Sequence, residues 1–232
     1  MPLFPDLNLI FVHIPKNAGR SIEQALLRNS GSPDGGRRTL LNWSLHALCE
    51  MTASKLAKDR LIGTLDIVTA AQHLTYMEMD LLGLLSPKNK VECVTFAVCR
   101  NPFDRIVSSI NHFYPDDAGH NKIDGRDSFE RHLNEWLERD VSDHNERAHR
   151  RQQIDFVLNC RGRSAVDELL RYEYIADDFA ALMSKMGTPE ITLPWRGKSS
   201  RQRSYQHYYN DSAKKLVEQE FGEDLEYFKY KF

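Results

Sequence analysis

The stretch HIPKNAGRS, residues 13–21, places a lysine in a short turn between two segments of different pattern. The preceding LNLIFV is an apolar run that predicts a buried strand, and the following IEQALL has its apolar residues at a helical spacing. The first N–H groups of a helix attract anions, and Ala18 and Gly19 let the backbone approach an oxyanion closely. Lys16 and Ser21 add a positive charge and a hydroxyl group. The turn is therefore typical of a phosphate-binding loop.

Lys16 comes before Gly19, the last glycine of this turn, whereas the Walker A motif places its lysine directly after the last glycine. The GxxxxGK[ST] pattern is missing, and no clear acidic residue follows an apolar run as in the Walker B motif. A P-loop-type kinase that uses ATP is an alternative with these two observations against it. A plain strand–turn–helix with an exposed lysine is another, because small-residue turns are common.

A second strand–turn–helix pattern follows at FAVCRNPFDRIVSSINHF, with Asn101 suited to cap its helix. Arg100 would then lie at the end of the strand, and Ser108 about two helical turns along. The planar guanidinium of Arg100 suits a phosphate dianion, unless it is engaged in a salt bridge with Asp104 or Glu92. Ligands of α/β sheets bind at the ends of strands. Two such loops therefore indicate a nucleotide with two separated phosphate groups.

The rest of the chain alternates between strand-like and helix-like segments, which favours one α/β domain over residues 1–232 with a mainly parallel central sheet flanked by helices. The predicted strands are residues 7–14, 60–68, 91–99 and a short strand that ends near Tyr174. The first predicted helix begins at Ser21, and a second covers 73–85 and ends at SPKNK. Further helices are predicted in parts of 126–159, at 176–187 with Gly187 near the C-cap, and in the amphipathic segment from 211.

Composition and charge exclude several classes of protein. The formal net charge is −2, so no global positive charge favours binding to nucleic acid or to an anionic membrane. Neither a signal peptide nor a run of about 18 apolar residues is present, which predicts a cytoplasmic protein without a membrane span. The four cysteines are scattered and the nine histidines show no HxH or HxxxH spacing, so we expect reduced thiols and no metal site.

The two loops in combination resemble those of the PAPS-dependent sulfotransferases. IFVHIPKNAGRSIEQAL is similar to their 5′-phosphosulfate loop, and CRNPFDRIVSSINHFY is similar to their 3′-phosphate loop. Within that family the resemblance is strongest to the carbohydrate-type enzymes, the group that includes heparan sulfate 2-O and chondroitin sulfotransferases. AQHLTY, LLRYEYIADDF and the tail YYNDSAKKLVEQEFGEDLEYFKYKF extend the resemblance towards both ends of the chain.

The resemblance implies a P-loop-like sulfotransferase fold, 3′-phosphoadenosine 5′-phosphosulfate (PAPS) as the donor, no metal, and a hydroxyl acceptor on a saccharide or glycolipid. Lys16 matches the lysine at the 5′-phosphosulfate, and Arg100 and Ser108 match the pair at the 3′-phosphate. Asn17 and Arg20 stand where Thr or Ser is usual. The other implied cofactor contacts are Asn17, Ala18, Gly19, Arg20 and Ser21 in the first loop, Tyr172 near the adenine, and Lys198, Ser200 and Arg201 in a later basic loop.

Transfer of a sulfuryl group to a hydroxyl requires a base, and histidine is the default base near neutral pH. QHLTY resembles the family's GHxxY stretch, with Gln72 where Gly is usual, so His73 is the predicted base. Lys16 is predicted to stabilise the charge that develops on the leaving phosphate. The alternatives for the base are His13, His46, His112, His149 and a carboxylate such as Glu78. A non-catalytic protein that binds a nucleotide or glycan is a further alternative.

Overall fold

The central sheet has four strands in the order β1-β2-β3-β4. The computed structural model describes residues 3–29, 73–81, 83–114, 123, 125–141, 144–194 and 204–232. The strands are Leu3–Phe4 (β1), Leu9–Val12 (β2), Val94–Cys99 (β3) and Glu168–Arg171 (β4). β1 is antiparallel to β2, whereas β2, β3 and β4 are parallel to one another. The carboxyl ends of the three parallel strands therefore lie at the same edge of the sheet.

Ten α-helices are present in these ranges. They are Gly19–Asn29 (α1), Tyr76–Leu81 (α2), Pro87–Glu92 (α3), Pro102–Phe113 (α4), Arg126–Glu138 (α5), His144–Arg150 (α6), Ile154–Val157 (α7), Ile175–Lys185 (α8), Asp211–Glu220 (α9) and Gly222–Tyr227 (α10). Short 3₁₀ helices cover Pro5–Leu7, Tyr172–Tyr174 and Tyr205–Tyr208. In the parts of the chain that the structure describes, no helix is long and apolar enough to cross a bilayer.

Alternate residues of the strands build two hydrophobic layers, because successive side chains of a strand point to opposite faces. On one face, Phe11 and Phe96 stack with ring centroids 4.8 Å apart and pack with apolar residues of α1 and α8. On the other face, Ile10 and Val12 pack with Phe156 of α7 and with the C-terminal segment. A third cluster joins α4, α5 and α9 away from the sheet.

The expected α/β fold with a mainly parallel sheet flanked by helices is confirmed. The first predicted strand is shorter than residues 7–14, because a 3₁₀ helix occupies Pro5–Leu7 and Asn8 adopts a φ of 51°. The strand predicted at 60–68 lies outside the described residues. The strand that ends near Tyr174 is present as β4, and the next helix ends before Gly187, whose φ is 75°.

Two helix predictions were wrong in detail. SPKNK does not stop the helix at 73–85: α2 has already ended at Leu81, and Ser86 caps the start of α3 in a reciprocal pair with Asn89. The favourable cap at Ser86 and the proline after it explain why a helix begins there. The C-terminal segment is two helices rather than one, with the break at Phe221.

Candidate active site

The loop between β2 and α1 is shaped by two residues in the left-handed region. Lys16 has a φ of 67° and Ala18 a φ of 63°, and each such conformation costs a non-glycine residue of order 1–3 kcal/mol. The N–H groups of Ser21 and Ile22 donate to the Ala18 carbonyl at 3.0 and 3.2 Å and close the first turn of the helix. A loop of this kind directs backbone N–H groups towards a common point, where an anion is favoured.

Gly19 is required in this loop by the close approach of a side chain from the strand before it. A Cβ atom at position 19 would lie 1.7 Å from Nε2 of His13. The His13 ring is buried, and its Nδ1 lies 3.0 Å from a carboxylate oxygen of Glu23, on the second turn of α1. His13 therefore packs beneath the loop and ties β2 to α1.

Lys16 carries the charge of the loop in a half-buried position. Burial, followed by the nearby cations Arg100 and Arg20, lowers the pKa of its ammonium group to about 8. The side chain of Arg20 is exposed. Among the described residues, no carboxylate forms an ion pair with Lys16 or Arg20. The loop therefore presents uncompensated positive charge, which an anion would stabilise.

Asn17 points into the protein rather than out of it. Its Nδ2 donates to the Val98 carbonyl at 2.6 Å and to Oε1 of Gln153 at 2.7 Å. Its Oδ1 is buried and has no hydrogen-bond partner in the described part of the chain. A cofactor contact from Asn17 would thus be made by its backbone.

Arg100 joins the two loops through its guanidinium group. Its Nη1 donates to the Lys16 carbonyl at 2.7 Å, and its Nε and Nη2 lie 2.8 and 2.7 Å from Oδ2 of Asp104. Its Cζ stacks 3.9 Å from the centroid of the Tyr172 ring. The salt bridge with Asp104 that the sequence left open is therefore formed, and Glu92 pairs instead with Lys88. Contacts of Arg100 with a phosphate and of Tyr172 with adenine stay predictions.

Ser108 lies on α4 beyond Arg100, as its spacing predicted, and is half-buried. Asn101 caps this helix, since its side chain accepts from the N–H of Phe103, and Pro102 occupies the first helical position. The 3′-phosphate role of Ser108 stays a prediction. Lys198, Ser200 and Arg201, implied by the resemblance as cofactor contacts, lie outside the described residues.

The sequence analysis missed Arg105, which holds the loop from below. Its side chain is completely buried and donates to the carbonyls of Pro15 at 3.2 Å, Arg151 at 3.0 Å and His149 at 3.2 Å. Burial lowers the pKa of its guanidinium group to about 10. The signal in the sequence was its place beside Ile106 on the apolar side of α4, where an arginine needs a buried set of acceptors.

His73 is hydrogen-bonded to the backbone of the first loop. The His13 carbonyl can only accept, so the 3.1 Å contact requires Nδ1 of His73 to carry the proton and leaves Nε2 as the acceptor of the neutral ring. The ring centroid of His73 lies 4.5 Å from that of His13 and 5.3 Å from that of His149. A neutral imidazole with this tautomer has the acceptor nitrogen that a general base needs.

Two further histidines extend this cluster towards Lys16. His149 is buried with its Nδ1 donating to the Asn145 carbonyl at 2.7 Å, and burial lowers the pKa of the ring to about 3. His112 stacks on His149 with ring centroids 5.5 Å apart, and burial followed by the charges of Lys16 and Arg20 lowers the pKa of its ring. The alternative base His46 lies outside the described residues.

The carboxylate named as an alternative base is engaged elsewhere. Oε2 of Glu78 accepts from the N–H of Thr75 at 2.9 Å, and the Thr75 hydroxyl accepts from the N–H of Glu78 at 3.0 Å, which is a capping box at the start of α2. Oε1 of Glu78 accepts from Arg151 at 2.6 Å. Within the ranges described, no group of three or more His, Cys, Asp or Glu side chains is placed to hold a metal ion.

Comparison with known proteins adds one finding to this geometry. The model of the sulfotransferase family matches residues 3–231, which is nearly the whole chain. Neither the curated proteins nor the solved structures include a match.

Proposed function

Because this chain belongs to the sulfotransferase family, we propose that it transfers a sulfuryl group from PAPS to a hydroxyl group of a saccharide or glycolipid. Membership of the family makes sulfuryl transfer its reaction class. The donor, the acceptor class and the catalytic residues are the proposal. The observation that carries it is the loop of residues 16–19, in which a desolvated lysine without a described ion pair is one of two left-handed residues that precede a helix N-terminus.

The residues present fit the two phosphate groups of PAPS. The N–H groups of residues 17–20 and the ammonium of Lys16 would hold the 5′-phosphosulfate, with the exposed Arg20 as a second cation. Arg100 and Ser108 would hold the 3′-phosphate, and Tyr172 would lie near the adenine. PAPS supplies an activated sulfuryl group, and the protein supplies position and charge.

Lys16 is the residue proposed to stabilise charge on the leaving phosphate. Its ammonium is partly removed from water, and an electrostatic interaction strengthens when water is excluded. A fixed cation that meets charge only as the bond breaks acts on the rate rather than on ground-state binding. Arg100 donates to the Lys16 carbonyl and Arg105 donates to the Pro15 carbonyl, so hydrogen bonds fix the backbone that carries the lysine side chain.

His73 is the residue proposed to take the proton of the acceptor hydroxyl. Its Nδ1 donates to the His13 carbonyl, which orients the ring and makes Nε2 the acceptor nitrogen that is proposed as the base. His149 is neutral near pH 7 because burial lowers its pKa to about 3, and it is oriented by its own backbone contact, so it is the less suited of the two to cycle its proton. Acceptor contacts are proposed from residues 113–150.

Turnover with labelled PAPS tests this proposal directly. We expect transfer of the label to a hydroxyl-bearing saccharide or glycolipid in a panel of acceptors, and none to the same acceptors with their hydroxyl groups blocked. Lys16→Ala should lose turnover, whereas Lys90→Ala should not, because Lys90 pairs with Asp80 at the surface. A parallel titration with PAP and with ATP separates this proposal from the kinase alternative. Binding of PAP without transfer to any acceptor would favour a non-catalytic protein.

A further inference from the structure

Gln153, the residue before α7, is completely buried and uses its side-chain amide in four hydrogen bonds. Its Oε1 accepts from the N–H of Arg100 at 3.0 Å and from Nδ2 of Asn17 at 2.7 Å. Its Nε2 donates to the Arg100 carbonyl at 2.9 Å and to Oδ2 of Asp224 at 3.3 Å. The amide orientation follows from the partners, because a backbone N–H can only donate and a carbonyl can only accept.

These bonds connect the two loops of the candidate site at one point. Asn17 lies at the centre of the first loop, and Arg100 is the first residue after β3 in the second. Gln153 holds Arg100 by both its N–H and its carbonyl, so the position of that backbone is determined in two directions. Asp224 anchors the glutamine in turn, since its carboxylate also accepts from the N–H groups of Gln153 and Ile154 at 2.8 Å.

We propose that Gln153 is a positioning residue that sets the separation of the two anion-binding loops. It has no exposed surface with which to touch a ligand, so its effect acts through Asn17 and Arg100. This inference rests on the proposed function, in which each loop holds one phosphate group of the same nucleotide. When two sites are held at a fixed spacing, the second phosphate binds at a high effective concentration once the first is bound. A loosened spacing removes part of that gain.

The experiment uses calorimetry to measure the Kd of 5′-AMP and the Kd of PAP. The ratio of the first Kd to the second is the affinity gain that the second phosphate gives. In the parent protein we expect a gain well above one. In Gln153→Met, which keeps the side-chain length and removes all four bonds, we expect that gain to fall by at least about tenfold. The Kd values of 5′-AMP and of 3′-AMP alone should each change by less than about threefold, because each monophosphate needs only one loop.

Gln152→Leu is the matched control. Gln152 is the neighbouring glutamine, and its Oε1 accepts from the N–H of Asp224 at 3.1 Å. The described contacts of its side chain do not include either loop, so its loss should lower stability without lowering the gain. A purely structural role of Gln153 would weaken 5′-AMP, 3′-AMP and PAP by one common factor and leave the gain unchanged.

Four outcomes decide the matter. A gain that falls in Gln153→Met and persists in Gln152→Leu supports the inference. A gain that persists in Gln153→Met, or falls equally in both variants, overturns the inference alone. A parent protein without any gain from the second phosphate contradicts the two-phosphate site of the proposed function, and the inference with it. If Gln153→Met does not fold, it is replaced by Gln153→Asn, which keeps the amide and shortens the side chain. The same criteria then apply to the affinity gain of that variant.

An NMR measurement on the parent protein tests the role of Gln153 without any variant. The side-chain amide resonance of Gln153 in ¹⁵N-labelled protein should shift when 5′-AMP alone is added and when 3′-AMP alone is added, since the glutamine contacts both loops. A resonance that moves with neither monophosphate, while both bind, overturns the inference.

Discussion

The two strand–loop–helix units of the site are built in opposite ways. The first, residues 13–21, derives its shape from left-handed backbone at Lys16 and Ala18 and carries cations without a described ion pair. The second, at residues 99–104, buries its arginine, pairs it with Asp104 and uses it to hold the carbonyl of Lys16. The comparison teaches that the cations of the first unit lack a described ion pair, whereas the arginine of the second unit is paired within the protein.

This division has an energetic basis. A cation without a partner in a partly buried site is unfavourable until an anion arrives, so the first unit gains most from binding. The charge of Arg100 is already compensated by Asp104 and by the face of Tyr172. Substitutions in the first unit should therefore change the rate, and those in the second should change binding and stability together.

The largest effect is expected at His73, which the first unit orients through the His13 carbonyl. His73→Ala should lower turnover by roughly 10²–10⁴, the usual contribution of a general base, with PAP affinity nearly unchanged. Single-turnover rates with labelled PAPS measure this. His132→Ala is the control, since His132 also donates from Nδ1 to a backbone carbonyl, that of Ser128 at 2.6 Å, but has no described ring contact with the His13, His73, His112 and His149 cluster. Normal turnover in His73→Ala would move the base to His112 or another group.

Lys16 is expected to give the next largest effect. Lys16→Ala should lower turnover by about 10²–10³, the usual cost of losing one group that stabilises transition-state charge. PAP affinity should fall much less, because the proposed contact strengthens only as charge develops on the leaving oxygen. Steady-state rates and calorimetric titration on the same preparation measure both quantities. Equal losses in rate and affinity would make Lys16 a phosphate anchor and would erase the difference between the units.

Arg100 tests the second unit. PAP should raise the melting temperature of the parent, and Arg100→Ala should remove most of that rise, because a hydrogen bond to a charged group contributes about 1.5–3 kcal/mol. Asp104→Asn helps to separate two possible roles of Arg100, since it removes the carboxylate that pairs with the arginine and leaves the guanidinium group in place. If Arg100 binds the 3′-phosphate, Asp104→Asn keeps the PAP-induced rise. If Arg100 only braces the Lys16 carbonyl, which its Nη1 contacts without Asp104, Arg100→Ala should reduce the rise caused by 5′-AMP as strongly as the rise caused by PAP.

The smallest predicted effect is the alkaline limb of the pH profile. Burial lowers the pKa of Lys16 to about 8, so the residue is charged below that pH and neutral above it. The value of kcat/KM for PAPS should therefore fall by up to about tenfold per pH unit above pH 8, as for loss of one proton. Lys16→Arg keeps its charge in this range and should lack the limb. An alkaline limb that is unchanged in Lys16→Arg would assign the titration to another group.

The elements that position the site could be predicted because their signals are local. The apolar runs before Lys16 and Arg100 and the cap at Asn101 each lie within a few residues of the feature they specify. The short helix α3 was missed because the cap at Ser86 was taken for a stop signal. The cap, the proline after it and Asn89 form a start signal that is itself local, and no side chain of α3 is buried.

The supports of the site could not be predicted, because their partners are distant in the chain. Gln153 is hydrogen-bonded to Asn17, which is 136 residues away in the sequence, and to Asp224, which is 71 residues away. Contacts at such separations produce no periodic pattern in the sequence. In the described part of the chain, the hydrogen bonds of Arg105 go to backbone carbonyls, which every residue type offers. The pairing of Arg100 with Asp104 could be named as an alternative because the two residues are one helical turn apart.

The contact between His13 and Gly19 has a consequence for how sequences of this kind diverge. Because a Cβ at position 19 would lie only 1.7 Å from His13 Nε2, position 19 cannot hold a larger residue while position 13 holds histidine. An alignment of relatives should therefore show the two positions covarying: a residue larger than glycine at 19 should occur only where position 13 holds a side chain smaller than histidine. Glu23 should vary with them, because its buried carboxylate loses its contact with Nδ1 of His13 when the imidazole is gone.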